Sequence, residues 1–97
     1  MKRIEGFNVR IVRKGEFYGR DDCLRHDSDD SLVEFYDARF EGQLPCWPRG
    51  QFVSRYYRST LLLGEFERGL CLEGAVPEWG VSPAGMREVI EFITEAA

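Results

Sequence analysis

Leu32-Val33-Glu34-Phe35-Tyr36-Asp37-Ala38-Arg39-Phe40 is the stretch on which the fold turns. It is rich in β-branched and aromatic side chains, which favour an extended backbone. In a strand, Val33 and Phe35 share one face while Leu32, Glu34 and Tyr36 share the other. Apolar groups on both faces predict a central strand, or one whose second face meets another element.

Upstream, Phe7-Asn8-Val9-Arg10-Ile11-Val12-Arg13 alternates, with Phe7, Val9 and Ile11 on one side and Asn8 and Arg10 on the other, the pattern of a half-buried strand. Lys14-Gly15 is a turn signal, and residues 16–24 restart an extended segment, so a hairpin is expected. Asp27-Ser28-Asp29-Asp30-Ser31 follows as a turn, since short polar side chains bond to nearby backbone groups. Downstream, Gln43-Leu44-Pro45-Cys46-Trp47-Pro48 reads as a connection because its prolines remove donors.

From Gln51 the apolar positions Phe52, Val53, Tyr56, Tyr57, Thr60 and Leu61 recur as a helical stripe, with Arg55 and Arg58 on the opposite face and Gly64 as a C-cap. Gly69-Leu70-Cys71-Leu72-Glu73-Gly74 reads as a short strand or a buried turn. Ser82-Pro83 signals a second helix, with Met86, Val89, Ile90 and Ile93 along its buried stripe. The expected architecture is therefore α+β. It is an antiparallel three- to four-stranded β-meander with two helices packed on one face, in the order β-β-β-α-(β)-α, forming one domain over residues 1–97. Two helices on one side leave the other sheet face open, and a homodimer or partner interface is expected there.

A chain of 97 residues builds one core. No apolar run approaches the ~20 residues that a membrane-spanning helix needs, and the N-terminus lacks the apolar run of a secretory signal, so a cytoplasmic location is expected. The net charge of −4 conceals successive blocks of +4, −6, +3 and −5 over residues 1–20, 21–41, 42–60 and 61–97. Adjacent blocks of opposite sign predict ion pairing between neighbouring elements.

Cys23, Cys46 and Cys71 form no C-x-x-C pair and are expected to be small buried hydrophobes. Asp21-Asp22-Cys23-Leu24-Arg25-His26-Asp27-Ser28-Asp29-Asp30 gathers the lone histidine, a thiol and five carboxylates. It fails the calcium-loop template, because Leu32 stands where glycine is needed and Ala38 where a bidentate glutamate should be. The expectation is a solvated acidic turn with His26 on its surface and no metal. A catalytic Cys23–His26 pair is disfavoured, since side chains three apart on a strand point to opposite faces. Glu34 with Asp37 offers a carboxylate pair of no specificity, and no Walker, dinucleotide or nucleophile-elbow motif implies a cofactor.

Arg49, Arg55 and Arg58 with Tyr56 and Tyr57 offer a nucleic-acid reading, opposed by the acidic balance and a pI near 5.0. The alternative is that Arg55 and Arg58 pair with carboxylates of the acidic blocks at the rim. Trp47 and Trp79 lie in connections, where tryptophan closes a core edge or anchors a partner. The segments 32–37, 50–57 and 69–74 quoted above resemble small bacterial proteins encoded on mobile elements and gene cassettes, for which no activity is established. That resemblance implies a compact accessory protein of the bacterial cytoplasm that binds another macromolecule.

The leading expectation is a non-enzymatic, homodimeric interaction module that binds a protein partner through an aromatic and arginine surface made of Arg55, Arg58, Tyr36, Trp47 and Trp79. The alternative is a small-molecule-binding or catalytic domain with a pocket between sheet and helices, using Cys23, His26, Glu34 or Asp37. The third is nucleic-acid binding through Arg49, Arg55 and Arg58.

Overall fold

The computed structural model describes residues 1–19, 22–43, 48–63 and 81–95, and the backbone of 71–74. In chain order the elements are β1 (Lys2–Ile4), β2 (Phe7–Val12), β3 (Phe17–Tyr18), β4 (Leu24–Arg25), β5 (Leu32–Asp37), a 3-10 turn (Ala38–Phe40), β6 (Gln51–Tyr57), α1 (Arg58–Leu62), β7 (Cys71–Gly74) and α2 (Pro83–Glu95). Five strands form one antiparallel sheet in the order β1-β2-β5-β6-β7, and β3 pairs with β4 in a separate two-stranded sheet. The main sheet is thus a meander, with the small hairpin inserted between β2 and β5, and the α+β class is as expected.

Register follows the alternation of side chains. Val9 stands opposite Phe35 and Ile11 opposite Val33, while Val33 also faces Tyr56. These side chains share one face, and Leu61 of α1 with Val89 and Ile93 of α2 closes over them, together with Ile4 of β1. The Tyr56 ring meets Phe35 edge-on, with centroids 6.0 Å apart. Both helices therefore cover the same face. Ser54 shares it too, and its buried Oγ has no hydrogen-bond partner among the described residues. Ser54→Ala removes an unsatisfied hydroxyl and is expected to raise stability by about 1 kcal/mol, read from the urea midpoint. A loss of stability would instead show that the hydroxyl is satisfied.

The segment 51–57 is a strand, not the expected helix. Tyr36 pairs with Phe52 and Phe35 with Ser54, so β6 carries one extra residue, Val53, at a bulge. That residue interrupts the period-2 alternation. Phe52 and Val53 become adjacent apolar positions on opposite faces, and the resulting spacing imitates a helical stripe. The strand also sets Arg55 directly opposite Glu34 rather than in solvent.

The expected pairing of 7–13 with 16–24 does not form. Strand β2 pairs with β1 and β5, and the β3–β4 hairpin lies over the second face of the sheet. That face is consequently not left open as expected. Strand β1 gave no sequence signal because three residues are too few to show an alternation.

Glu5, in the turn between β1 and β2, reaches the start of α2. Its carboxylate accepts hydrogen bonds from the Ser82 backbone N–H and hydroxyl, and Ser82 Oγ accepts in turn from Gly85 N–H at 3.1 Å. A Cβ on Gly85 would crowd the tip of the Glu5 side chain and Val81 Cγ1, so glycine lets this cap close without a shift of either side chain. The Ser82 hydrogen bonds hold the Glu5 carboxyl below its ordinary value. Asp29 is lowered by Lys14 and Asp37 by Arg39. Each group binds protons less readily folded than unfolded, so each stabilises the fold above the ordinary carboxylate range and loses that contribution as pH falls below it. Glu5→Gln is expected to flatten the acid limb of a stability–pH curve. An unchanged acid limb would show that the cap is not formed.

Candidate functional site

The described polar side chains converge on the second sheet face, beneath the hairpin. One row across β2, β5 and β6 reads Arg10, Glu34, Arg55. Glu34 is fully buried, and both its oxygens are occupied. Oε2 accepts from Arg55 Nε at 3.0 Å, Arg55 Nη2 at 2.8 Å and the Gly19 backbone N–H at 3.3 Å. Oε1 accepts from the Tyr36 hydroxyl at 3.0 Å and from Arg10 Nη1 at 3.3 Å. A buried carboxylate is tolerated when its charge and lone pairs are matched in this way.

The Arg55 guanidinium lies 4.8 Å from the ring centroids of both Tyr18 and Phe52, so aromatic surfaces flank the buried cation. Arg10 extends outward, donating to the Phe17 carbonyl at 2.6 Å and to Asp22 Oδ1 at 2.7 Å. Arg49 donates to the other Asp22 oxygen at 2.7 Å and stacks its guanidinium 5.6 Å from the centroid of the Tyr36 ring. Burial tends to raise the Asp22 carboxyl, but hydrogen bonds from Arg49 and Arg10 outweigh it and hold the group below its ordinary value. Burial tends to lower Arg10, and Asp22 with Glu34 outweighs that in turn. Burial, reinforced by the Glu34 charge, pushes the Tyr36 phenol far upward and keeps it neutral.

Several expected site residues are placed differently from the sequence reading. Tyr36 and Arg55 are buried and display nothing at the surface. Arg58 donates from Nε to the Ile93 carbonyl at 2.8 Å, capping one of the last carbonyls of α2. Arg49, Arg55 and Arg58 thus have three separate destinations: Asp22, Glu34 and a helix end. The ion pairing expected of Arg55 and Arg58 holds for Arg55, inside the fold rather than at its rim, and not for Arg58, which meets a carbonyl instead. Trp47, Trp79 and Cys46 lie outside the described residues, as does the side chain of Cys71.

Cys23 is exposed, contrary to the expected burial. His26 is buried rather than on the surface, with Nε2 2.6 Å from the Asp30 carbonyl and its ring edge-on to Tyr18. Its Nε2 therefore serves the 27–31 turn rather than the thiol. In the same turn Asp29 pairs with Lys14 at 2.7 Å, and Asp30 accepts from the Ser59 hydroxyl at 2.6 Å. Among the described residues no three His, Cys, Asp or Glu side chains are placed to share a metal ion. Glu34 and Asp37, three apart on β5, point to opposite faces, and Asp37 pairs with Arg39 while capping the 3-10 turn.

Comparison with protein-family models, with curated proteins and with solved structures found no match. The function must be argued from the geometry alone. Among the described residues no helix is long and apolar enough to cross a membrane.

The charge blocks predict ion pairing between neighbouring elements, and the Arg10–Glu34–Arg55 row is such pairing, but which residues meet had only one signal in the sequence. Glu34 stands between Leu32 and Tyr36 on the second face of the central strand, and a carboxylate among apolar neighbours there calls for a cation or hydrogen-bond donors from neighbouring elements. The bulge at Val53 hid Arg55 from that reasoning. The exposed apolar side chains lie elsewhere. Phe17 and Leu24 of the hairpin are 51% and 52% exposed, and the Arg25 guanidinium lies 6.0 Å from the Phe17 ring centroid.

Proposed function

We propose that this chain is a small non-enzymatic interaction module that binds a protein partner, in its simplest form a second copy of itself, through the β3–β4 hairpin, whose Phe17 and Leu24 are exposed on either side of it. The observation that carries this reading is the exposure of Phe17 and Leu24 on a hairpin that the buried network anchors to the sheet. Half-exposed apolar side chains next to an arginine, on a hairpin bonded to the sheet, suit a contact surface. The aromatic and arginine character expected of the surface is thus supplied by Phe17 and Arg25 rather than by Tyr36 and Arg55.

An enzymatic reading finds less support. A general acid or base needs a proton to exchange and access to a substrate. Glu34 has five donors around it and no exposure. Apolar side chains pack the space between the helices and the sheet, where the alternative reading expects its pocket. The nucleic-acid reading is likewise weakened, because its three arginines are engaged within the fold.

Light scattering over the micromolar range is expected to show a concentration-dependent dimer. Phe17→Ser combined with Leu24→Ser should abolish it while leaving the urea midpoint nearly unchanged. A wild type that stays monomeric throughout, or a dimer indifferent to both substitutions, would remove this reading.

A further inference from the structure

We propose that Arg10 and Arg49 form a binding site for a carboxylate from outside the chain, and that Asp22 is a tethered occupant of that site. The two guanidiniums come from different parts of the sheet, one within β2 and one just before β6. Each gives one N–H to a different oxygen of the same carboxylate, at 2.7 Å in both cases. Two cations directed at the two oxygens of one anion form a charge-assisted arrangement suited to carboxylate recognition.

The cations are also held by contacts other than Asp22. Arg10 donates to the Phe17 carbonyl at 2.6 Å and lies 3.3 Å from Glu34. Arg49 stacks on Tyr36, and its backbone carbonyl accepts from Asn8 Nδ2 at 2.6 Å. Preorganisation of this kind lowers the cost of binding. Exposure is asymmetric as well. The side chains of Arg10 and Arg49 are only 15% and 13% exposed, whereas that of Asp22 is 39% exposed. The anion position therefore opens to solvent while its donors do not.

Charge reinforces the geometry. Without the Asp22 carboxylate, Arg10 would keep Glu34 at 3.3 Å as its described ion-pair partner and Arg49 would keep none among the described residues, and such partly buried cations favour an anion from outside. Asp22 occupies the left-handed region at φ 52°, on the segment joining β3 to β4. A ligand that takes its place therefore removes one of the hairpin's ties to the sheet.

The test titrates Asp22→Gly, which suits the positive φ, with acetate and with the peptide acetyl-Gly-Asp-Gly-amide, following the arginine Nε–Hε signals by NMR. Asp22→Asn, which also tolerates this backbone, serves as the second variant. Saturable shifts of the Arg10 and Arg49 signals are expected, with tighter binding than in the wild type, because the tethered carboxylate competes there for the same donors. They should disappear in Asp22→Gly/Arg49→Ala. A peptide that binds more tightly than acetate identifies a protein source for the carboxylate, and equal binding identifies a small molecule.

In the wild type, high acetate should speed hydrogen exchange at the β3–β4 amides, whereas chloride at the same ionic strength should not. The proposal is overturned if no saturable response occurs, if wild type and variant titrate alike, if the response survives Arg49→Ala, or if chloride reproduces it.

Discussion

Glu34→Ala is expected to cost about 3–5 kcal/mol, the scale on which removing one partner of a buried ion pair destabilises a protein. The loss is large because it is collective. Arg55 would keep its charge between the Tyr18 and Phe52 rings without its carboxylate, and Tyr36 and Gly19 would lose their acceptor. Against a total of about 5–15 kcal/mol for a typical native protein, one substitution then removes a large share of the stability. Urea unfolding followed by far-UV circular dichroism measures it. A double variant separates charge from packing. In Glu34→Leu/Arg55→Met the buried guanidinium is replaced and the rings still have an apolar neighbour, so much of the lost stability should return. A Glu34→Ala cost under about 1 kcal/mol would contradict the burial described for this carboxylate.

Gly50→Ala is expected to be comparably damaging for a different reason. Gly50 adopts φ 108°, and a Cβ there would lie 2.1 Å from the Asp37 carbonyl oxygen and 2.9 Å from its carbon. The obstacle is backbone at the end of β5, so no rotamer change relieves it. Strain and overlap together should cost about 4 kcal/mol. Gly42→Ala is the control. Its φ of 76° is also positive, but no atom of the described residues lies within 4 Å, so the expected cost is only the backbone strain of about 1 kcal/mol. Equal costs at the two positions would show that the close approach of Gly50 to Asp37 is not real. Because Arg49 precedes Gly50 and contacts Asp22, a displaced Gly50 should also weaken the Asp22 clamp.

Much of the fold was legible from local pattern. The strand centred on Val33 and Phe35, the Ser82-Pro83 start of α2 and the stripe through Val89 and Ile93 depend on side-chain periods that neighbours along the chain already display. Leu32, Glu34 and Tyr36 also announced that the central strand has a second covered face. What covers that face was not legible. The β3 and β4 strands are two residues each, too short to show which element they lie against, and β1 is scarcely longer. The single extra residue at Val53 disguised β6 as a helix, and with it went the partner of Glu34.

By itself, then, the sequence determined the α+β class, the antiparallel meander, the helix over residues 83–95 and the presence of opposite charges needing one another. Those properties follow from periodicity and composition, which are local. Only the tertiary structure decided which charges meet. Arg10, Glu34 and Arg55 are far apart in the chain, and their alignment rests on strand register and one bulge. The same placement turns Tyr36 and Arg55 from surface candidates into buried supports and leaves Phe17 and Leu24 exposed. The physical reason is that a side chain's partner across a sheet is set by pairing between distant segments, whereas its own alternation is set by its immediate neighbours.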